Sequence, residues 1–76
     1  MARADKILER MRANPRDDWT IEQMQTVADA QGVEWRNPRG SHVVFVTSSG
    51  DPLSVPARRP VKAVYVREFV ELIDGA

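Results

Sequence analysis

The pattern of hydrophobic and polar residues predicts two helices, three short strands and a final helix. The strongest strand signal is the segment 40–47, where four β-branched or aromatic residues stand in a row. Because successive strand residues face opposite sides of a sheet, Phe45 marks the core side, and His42, Val44 and Val46 point to the other side. We therefore expect the only histidine of the chain to lie on the outer face of a sheet, beside a glycine-containing turn.

Helical periodicity appears in three segments of the chain. The first covers residues 2–14 and stops before Pro15, since the residue that precedes a proline avoids the helical region. The second begins with a capping box, in which Thr20 is the N-cap, and ends at Gly32. The third covers residues 62–74. The three apolar stripes are Ile7, Leu8 and Met11; Ile21, Met24, Val27 and Ala28; and Val66, Phe69, Val70 and Ile73.

Three short strands separated by turn residues indicate an antiparallel meander. Residues 33–36 alternate in polarity, a turn at 37–40 leads to the central strand, and a second turn at 48–51 precedes a strand at 53–55 between two prolines. The order α-α-β-β-β-α predicts an α+β fold with helices on one face of the sheet. The expected core residues are Met24, Val27, Val33, Trp35, Val43, Phe45, Leu53, Val55, Phe69 and Ile73.

Length and composition narrow the class of protein. A chain of 76 residues is expected to form a single domain with a small core. It has no cysteine and one histidine, so neither a disulfide framework nor a thiolate or histidine zinc site is expected, and we expect no cofactor. No apolar run approaches the ~18 residues of a membrane span. We therefore expect a cytoplasmic protein without a membrane partner.

Charge is distributed unevenly, although the formal net charge is zero. Residues 33–67 contain six Lys/Arg and two Asp/Glu, a net charge of +4, whereas residues 68–76 contain three Asp/Glu and no Lys/Arg, a net charge of −3. The basic segment coincides with the sheet and its loops, which weakly indicates a polyanionic partner. A solvated basic surface is the simpler interpretation of the same charges.

The central segment resembles a family of small bacterial toxins. The pattern G-S-H-x-x-F at positions 40–45, a hairpin and then Val55-Pro56 followed by basic residues are similar to the HicA-type toxins, which are mRNA interferases paired with a HicB-type antitoxin. The resemblance implies a fold like the double-stranded-RNA-binding domain, with the order α-β-β-β-α over residues 20–74. Residues 1–19 would be an additional N-terminal helical extension of the same domain.

The resemblance also implies an active site, because His42 stands where the family has its catalytic histidine. A ribonuclease of this kind needs no metal: a base removes the proton of the 2′-hydroxyl, that oxygen attacks the adjacent phosphate, and cations stabilise the developing charge. Histidine suits the base because it titrates near neutral pH. A second proton donor would be Tyr65, Lys62 or water. The expected RNA-binding residues are Arg39, Gly40, Ser41, Arg58, Arg59 and Lys62.

Several alternatives remain open. Val44 and Val46 either lie under the N-terminal helix or form an apolar patch that the antitoxin covers. Arg58 and Arg59 either contact phosphate or belong to a solvated loop. Both tryptophans are expected to pack in the core rather than to stack on bases. The protein is then either a ribonuclease toxin or a non-catalytic module of the same fold that binds RNA or protein.

Overall fold

A computed structural model of the chain describes residues 3–37, 40–46, 52–58 and 60–75. The predicted turn at 48–51, part of the turn at 37–40, and the candidate site residues Arg39 and Arg59 lie outside these ranges. None of the helices in the described part is long and apolar enough to cross a membrane. The elements in chain order are α1 (Arg3–Ala13), α2 (Ile21–Gln31), β1 (Glu34–Arg36), β2 (His42–Val46), β3 (Leu53–Pro56) and α3 (Ala63–Asp74).

Two local signals set the limits of α2. The Thr20 hydroxyl accepts a hydrogen bond from the backbone N–H of Gln23 at 3.2 Å, and the side-chain oxygen of Gln23 accepts one from the Thr20 backbone N–H at 2.9 Å. This is the predicted capping box, which satisfies two N–H groups that the first turn leaves unpaired. Gly32 ends the helix in the left-handed conformation with φ of 72°, which glycine adopts without a steric cost.

The strands form one antiparallel sheet in the order β1-β2-β3, as the sequence predicts. Trp35 pairs with Phe45, and Phe45 pairs with Leu53 on the opposite neighbour. His42 pairs with Pro56 near the end of the hairpin. Phe45 is fully buried and His42 is exposed, so the alternation along β2 points the two side chains to opposite faces.

The helices α2 and α3 cover the Phe45 face of the sheet. The rings of Phe45 and Phe69, which lies on α3, have centroids 4.8 Å apart and planes inclined at 55°, within the range that aromatic pairs prefer. Most of the predicted core residues are buried in the cluster around this pair. Trp35 and Leu53 are only half-buried, which corrects the predicted core, because they lie on the two edge strands of a three-stranded sheet.

The first helix contributes more to the core than the sequence indicates. Leu8 and Met11 of α1 belong to the main buried cluster, and α1 packs against α2 and α3. The helix therefore lies on the helical side of the molecule, and the alternative in which it covers Val44 and Val46 is wrong. The predicted packing of Trp19 in the core is confirmed, because Trp19 is buried in the same cluster. Other buried residues missing from the predicted core are Ile21, Ala28, Val61 and Val66.

An ion pair joins α1 to the end of α3. The Nε of Arg12 donates a hydrogen bond to Oδ2 of Asp74 at 2.9 Å, and the guanidinium also contacts Oδ1. Both side chains are partly exposed, at 45% and 44%, so solvent screens the pair and its contribution to stability is small. The hydrogen bond from Arg12 holds the pKa of the Asp74 carboxyl below its usual value.

We expect Asp74→Asn to lower the stability slightly at neutral pH and to have no effect in acid. Because the pKa of Asp74 is lower in the folded protein than in the unfolded chain, the pair stabilises the fold above the unfolded pKa, about 3.9. This stabilisation is lost as the pH falls through the folded pKa. Urea unfolding of both proteins from neutral pH to about pH 2 measures the difference. A difference that stays constant over this range would contradict the prediction.

Candidate functional site

A cleft of about 660 Å³ opens where the ends of β2 and β3 meet the start of α3. Its volume lies within the range of ~300–1,000 Å³ that is typical of small-molecule sites in proteins. The cleft is walled by the sheet on one side and by the segment that leads into α3 on the other. The polar and apolar residues most relevant to its chemistry are Ser41, His42, Pro56, Arg58, Lys62 and Tyr65.

The cleft brings together residues that are distant in the sequence. His42, Arg58 and Lys62 were predicted as a base and two phosphate contacts, and all three line it. Ser41 lines it too, and Gly40 lies directly before Ser41. The geometry of Arg39 and Arg59 relative to the cleft lies outside the described residues.

Strand pairing holds the histidine in place. His42 is the first residue of β2 and lies opposite Pro56 of β3. The backbone N–H of Ala57 donates to the carbonyl of Ser41 at 2.9 Å, which continues the pairing one step beyond the strand. The backbone on both sides of the histidine is therefore fixed, while its side chain is exposed to solvent.

Among the described residues, the imidazole of His42 has one neighbour within hydrogen-bonding distance. Its Nδ1 lies 3.3 Å from the hydroxyl oxygen of Ser41, a distance at the long end for a hydrogen bond. The other ring nitrogen, Nε2, has no hydrogen bond to any residue that the structure describes. This nitrogen is consequently free to exchange a proton with a ligand in the cleft.

The opposite wall is anchored to the connector between α1 and α2. The backbone N–H of Val61 donates to the carbonyl of Trp19 at 2.8 Å, and the indole N–H of Trp19 donates to the carbonyl of Asn14 at 2.8 Å. Trp19 and Val61 are both buried, so the bond between their backbone groups is shielded from water, whereas the indole bond to the exposed Asn14 is only partly buried. The segment that presents Arg58 and Lys62 therefore has a fixed backbone at one end.

The charge of the cleft is positive. Arg58 and Lys62 are exposed, and no carboxylate lines the cleft in the part of the chain that the structure describes. The ion pairs among the described residues are Arg12 with Asp74 and Arg36 with Glu34, so neither cleft cation is neutralised by a described partner. Across residues 3–37, 40–46, 52–58 and 60–75, no cluster of three or more His, Asp or Glu side chains could hold a metal ion.

Tyr65 is the residue whose position the sequence indicated least. The sequence indicates it only as one of three possible proton donors, and the structure brings it into the same cleft as His42. It lies in the first turn of α3, three residues after the N-cap Lys62, and its face of the helix borders the cleft. That spacing was available in the sequence, but the direction in which the face points was not.

The apolar candidates lie outside the cleft but on the same side of the sheet as His42. Val44 and Val46 alternate with the buried Val43 and Phe45 along β2, and both are half-buried. Val44 is flanked by Arg36 on one neighbouring strand and by a serine on the other. The sheet face beyond the cleft is therefore mixed, with two valines among polar and charged side chains.

Comparisons with protein-family models, with curated proteins and with solved structures found no match for this chain. The resemblance to the HicA-type toxins therefore stays a prediction that rests on the residues of the central segment. The chemistry of the site has to be inferred from the cleft itself.

Gly40 sets the direction of the chain just before the cleft. It adopts φ of 76°, and a side chain placed there would meet nothing within 4 Å. We expect Gly40→Ala to lower the free energy of unfolding by about 1–2 kcal/mol through backbone strain alone. Gly40→Asn should lose less, because asparagine tolerates the left-handed conformation. Urea unfolding compares the two variants, and equal losses would contradict a backbone origin.

Proposed function

We propose that this protein is a metal-independent endoribonuclease that cleaves mRNA, with His42 as the general base. The observation that carries the proposal is a cleft in which a histidine with a free Nε2 lies with Arg58 and Lys62, without a described carboxylate. We further propose that it is the toxin of a type II toxin–antitoxin pair, inhibited by a HicB-like antitoxin. The resemblance of the segment 40–45 to the HicA-type toxins supports this biological role.

The arrangement of the elements is compatible with the proposed family. The order α2-β1-β2-β3-α3 corresponds to α-β-β-β-α, and both helices pack on one face of an antiparallel sheet. This supports the proposed likeness to a double-stranded-RNA-binding domain. In that interpretation α1 is an addition that packs on the outside of the helical layer.

The proposed reaction uses the 2′-hydroxyl of the RNA as the nucleophile. Nε2 of His42 takes the proton from this hydroxyl, and the oxygen forms a bond to the adjacent phosphorus. The bond between phosphorus and the 5′-oxygen breaks, and that oxygen receives a proton from Lys62, Tyr65 or water. The products are a 2′,3′-cyclic phosphate and a 5′-hydroxyl. Arg58 and Lys62 stabilise the negative charge that develops on the phosphoryl oxygens.

The open face of the sheet supports an antitoxin that covers His42. Val44 and Val46 lie on the same face as the histidine and are not buried by the helices, which pack on the other face. A partner seated there would remove both valines from water and would close the neighbouring cleft. Inhibition would then follow from the position of the apolar residues beside the catalytic one.

We expect His42→Ala to slow cleavage strongly without unfolding the protein. The rate should fall by about 10²–10⁴-fold, the usual effect of removing a positioned acid or base. Because His42 is exposed, the free energy of unfolding should change by no more than about 0.5 kcal/mol. Cleavage of a long mRNA in EDTA measures the rate, and urea unfolding measures the stability. Ser54→Ala, on the same sheet face, serves as the control and should keep the wild-type rate.

Two outcomes would contradict the proposal in different ways. A folded His42→Ala protein that cleaves RNA at the wild-type rate would exclude His42 as the base. A wild-type protein that binds RNA but does not cleave it, with ribosomes present as well as without them, would favour the non-catalytic module instead.

The proposed antitoxin contact has its own test. A co-expressed HicB-like protein should protect the backbone amides of β2 from hydrogen exchange in the complex. Val44→Asp and Val46→Asp should weaken the complex, because each would place a charge in the contact. Ala30→Asp, at an exposed position of α2, adds the same charge on the helical side and should leave the complex intact. Protection confined to α1 would contradict the proposed contact.

A further inference from the structure

We infer that the cleft binds single-stranded RNA and that Tyr65 forms the surface on which one unpaired base stacks. This inference rests on the proposed function, because it assigns a subsite in the same cleft. It goes beyond that function by naming the form of the substrate and the residue that selects it.

Tyr65 has the environment of a side chain that is available to a ligand. It is half-buried and packs against the core cluster, and it also lines the cleft. Within the described ranges its ring has no aromatic partner, and its hydroxyl has no hydrogen bond. The core contact holds the ring in place, so it can receive a base with little loss of side-chain entropy.

The surroundings of Tyr65 complete a site for a nucleotide. Pro56 and Pro60 give the cleft apolar surface, and Arg58 and Lys62 supply positive charge for the phosphates on either side of a base. An aromatic ring beside cations that follow the backbone is the combination with which proteins bind single strands. Neither feature alone would distinguish a nucleotide from another anion.

The shape of the cleft disfavours a duplex. In an A-form helix the bases are stacked on one another, so an aromatic side chain reaches a base only where it is unpaired and turned outward. A ring in a cleft of about 660 Å³ is accessible to such a base, whereas duplex-binding domains contact about 16 base pairs over an open surface. The cleft therefore selects single strands, although the proposed fold is related to a duplex-binding domain.

The experiment measures the binding of RNA that cannot be cleaved. A labelled RNA strand of ~12 nucleotides, within the usual site sizes of single-strand binders, carries 2′-O-methyl groups throughout and is titrated with the full chain by fluorescence anisotropy. The same strand annealed to its complement is titrated in parallel. We expect the single strand to bind at least ~10-fold more tightly than the duplex, the difference that one stacked base provides.

Three variants assign the effect to the ring of Tyr65. Tyr65→Ala should weaken single-strand binding by about 10-fold and leave the weak duplex binding unchanged. Tyr65→Phe keeps the ring and should bind within about 2-fold of the wild type, because stacking does not need the hydroxyl. Val70→Ala, which shortens another half-buried side chain of α3, should bind like the wild type. Circular dichroism confirms that each variant is folded.

The outcomes separate this inference from the proposed function. If the protein binds neither RNA, both fail. If it binds RNA but Tyr65→Ala binds as tightly as the wild type, or the duplex binds as tightly as the single strand, only the inference about Tyr65 fails. If Tyr65→Phe loses as much affinity as Tyr65→Ala, the hydroxyl and not the ring makes the contact, and stacking is excluded.

Discussion

The contact between Phe45 and Phe69 is the interaction on which the rest of the structure depends. It joins the central strand to α3, and both rings are completely removed from water. A chain of 76 residues has too little buried surface to build a second core, so the sheet and the helix stay together largely through the cluster around this pair. The same strand carries His42 and the same helix carries Tyr65, so the contact also sets the distance between the two walls of the cleft.

The elements that could be predicted from the sequence are those with local causes. The start and end of α2 follow from Thr20 and Gly32, which act within one turn of the helix. The outward direction of His42 follows from the inward direction of Phe45 on one strand. The position of α1 was not predictable in this way, because an apolar stripe indicates that a helix face is buried but not which surface buries it. The burial of Trp35 and Leu53 was overestimated for a related reason, because the pattern of polar and apolar residues does not show that a strand lies at the edge of a sheet.

Most residues of the candidate site could be named from the sequence, but the way in which the fold brings them together could not. His42 and Arg58 come together because His42 pairs with Pro56, and this register depends on the hairpin between the strands. Tyr65 faces the cleft because α3 is oriented by its packing on the sheet, a property of the whole core. The hydrogen bond from Val61 to Trp19 joins backbone groups of two loops. The sequence does not indicate which backbone groups of two loops will pair, because these groups are the same in nearly all residues.

That last bond makes the N-terminal connector and one wall of the cleft parts of a single cooperative unit. The segment before α3 cannot open without breaking a shielded bond to Trp19, and Trp19 is held in turn by the end of α1. A local opening at either place therefore requires an opening at the other. The free energy of this opening is closer to that of unfolding the core than to that of opening an ordinary surface loop. The connector at residues 14–19 does not line the cleft, but it holds one wall of the cleft in place. Substitutions in this connector can therefore change the positions of the cleft residues, and with them the chemistry of the cleft.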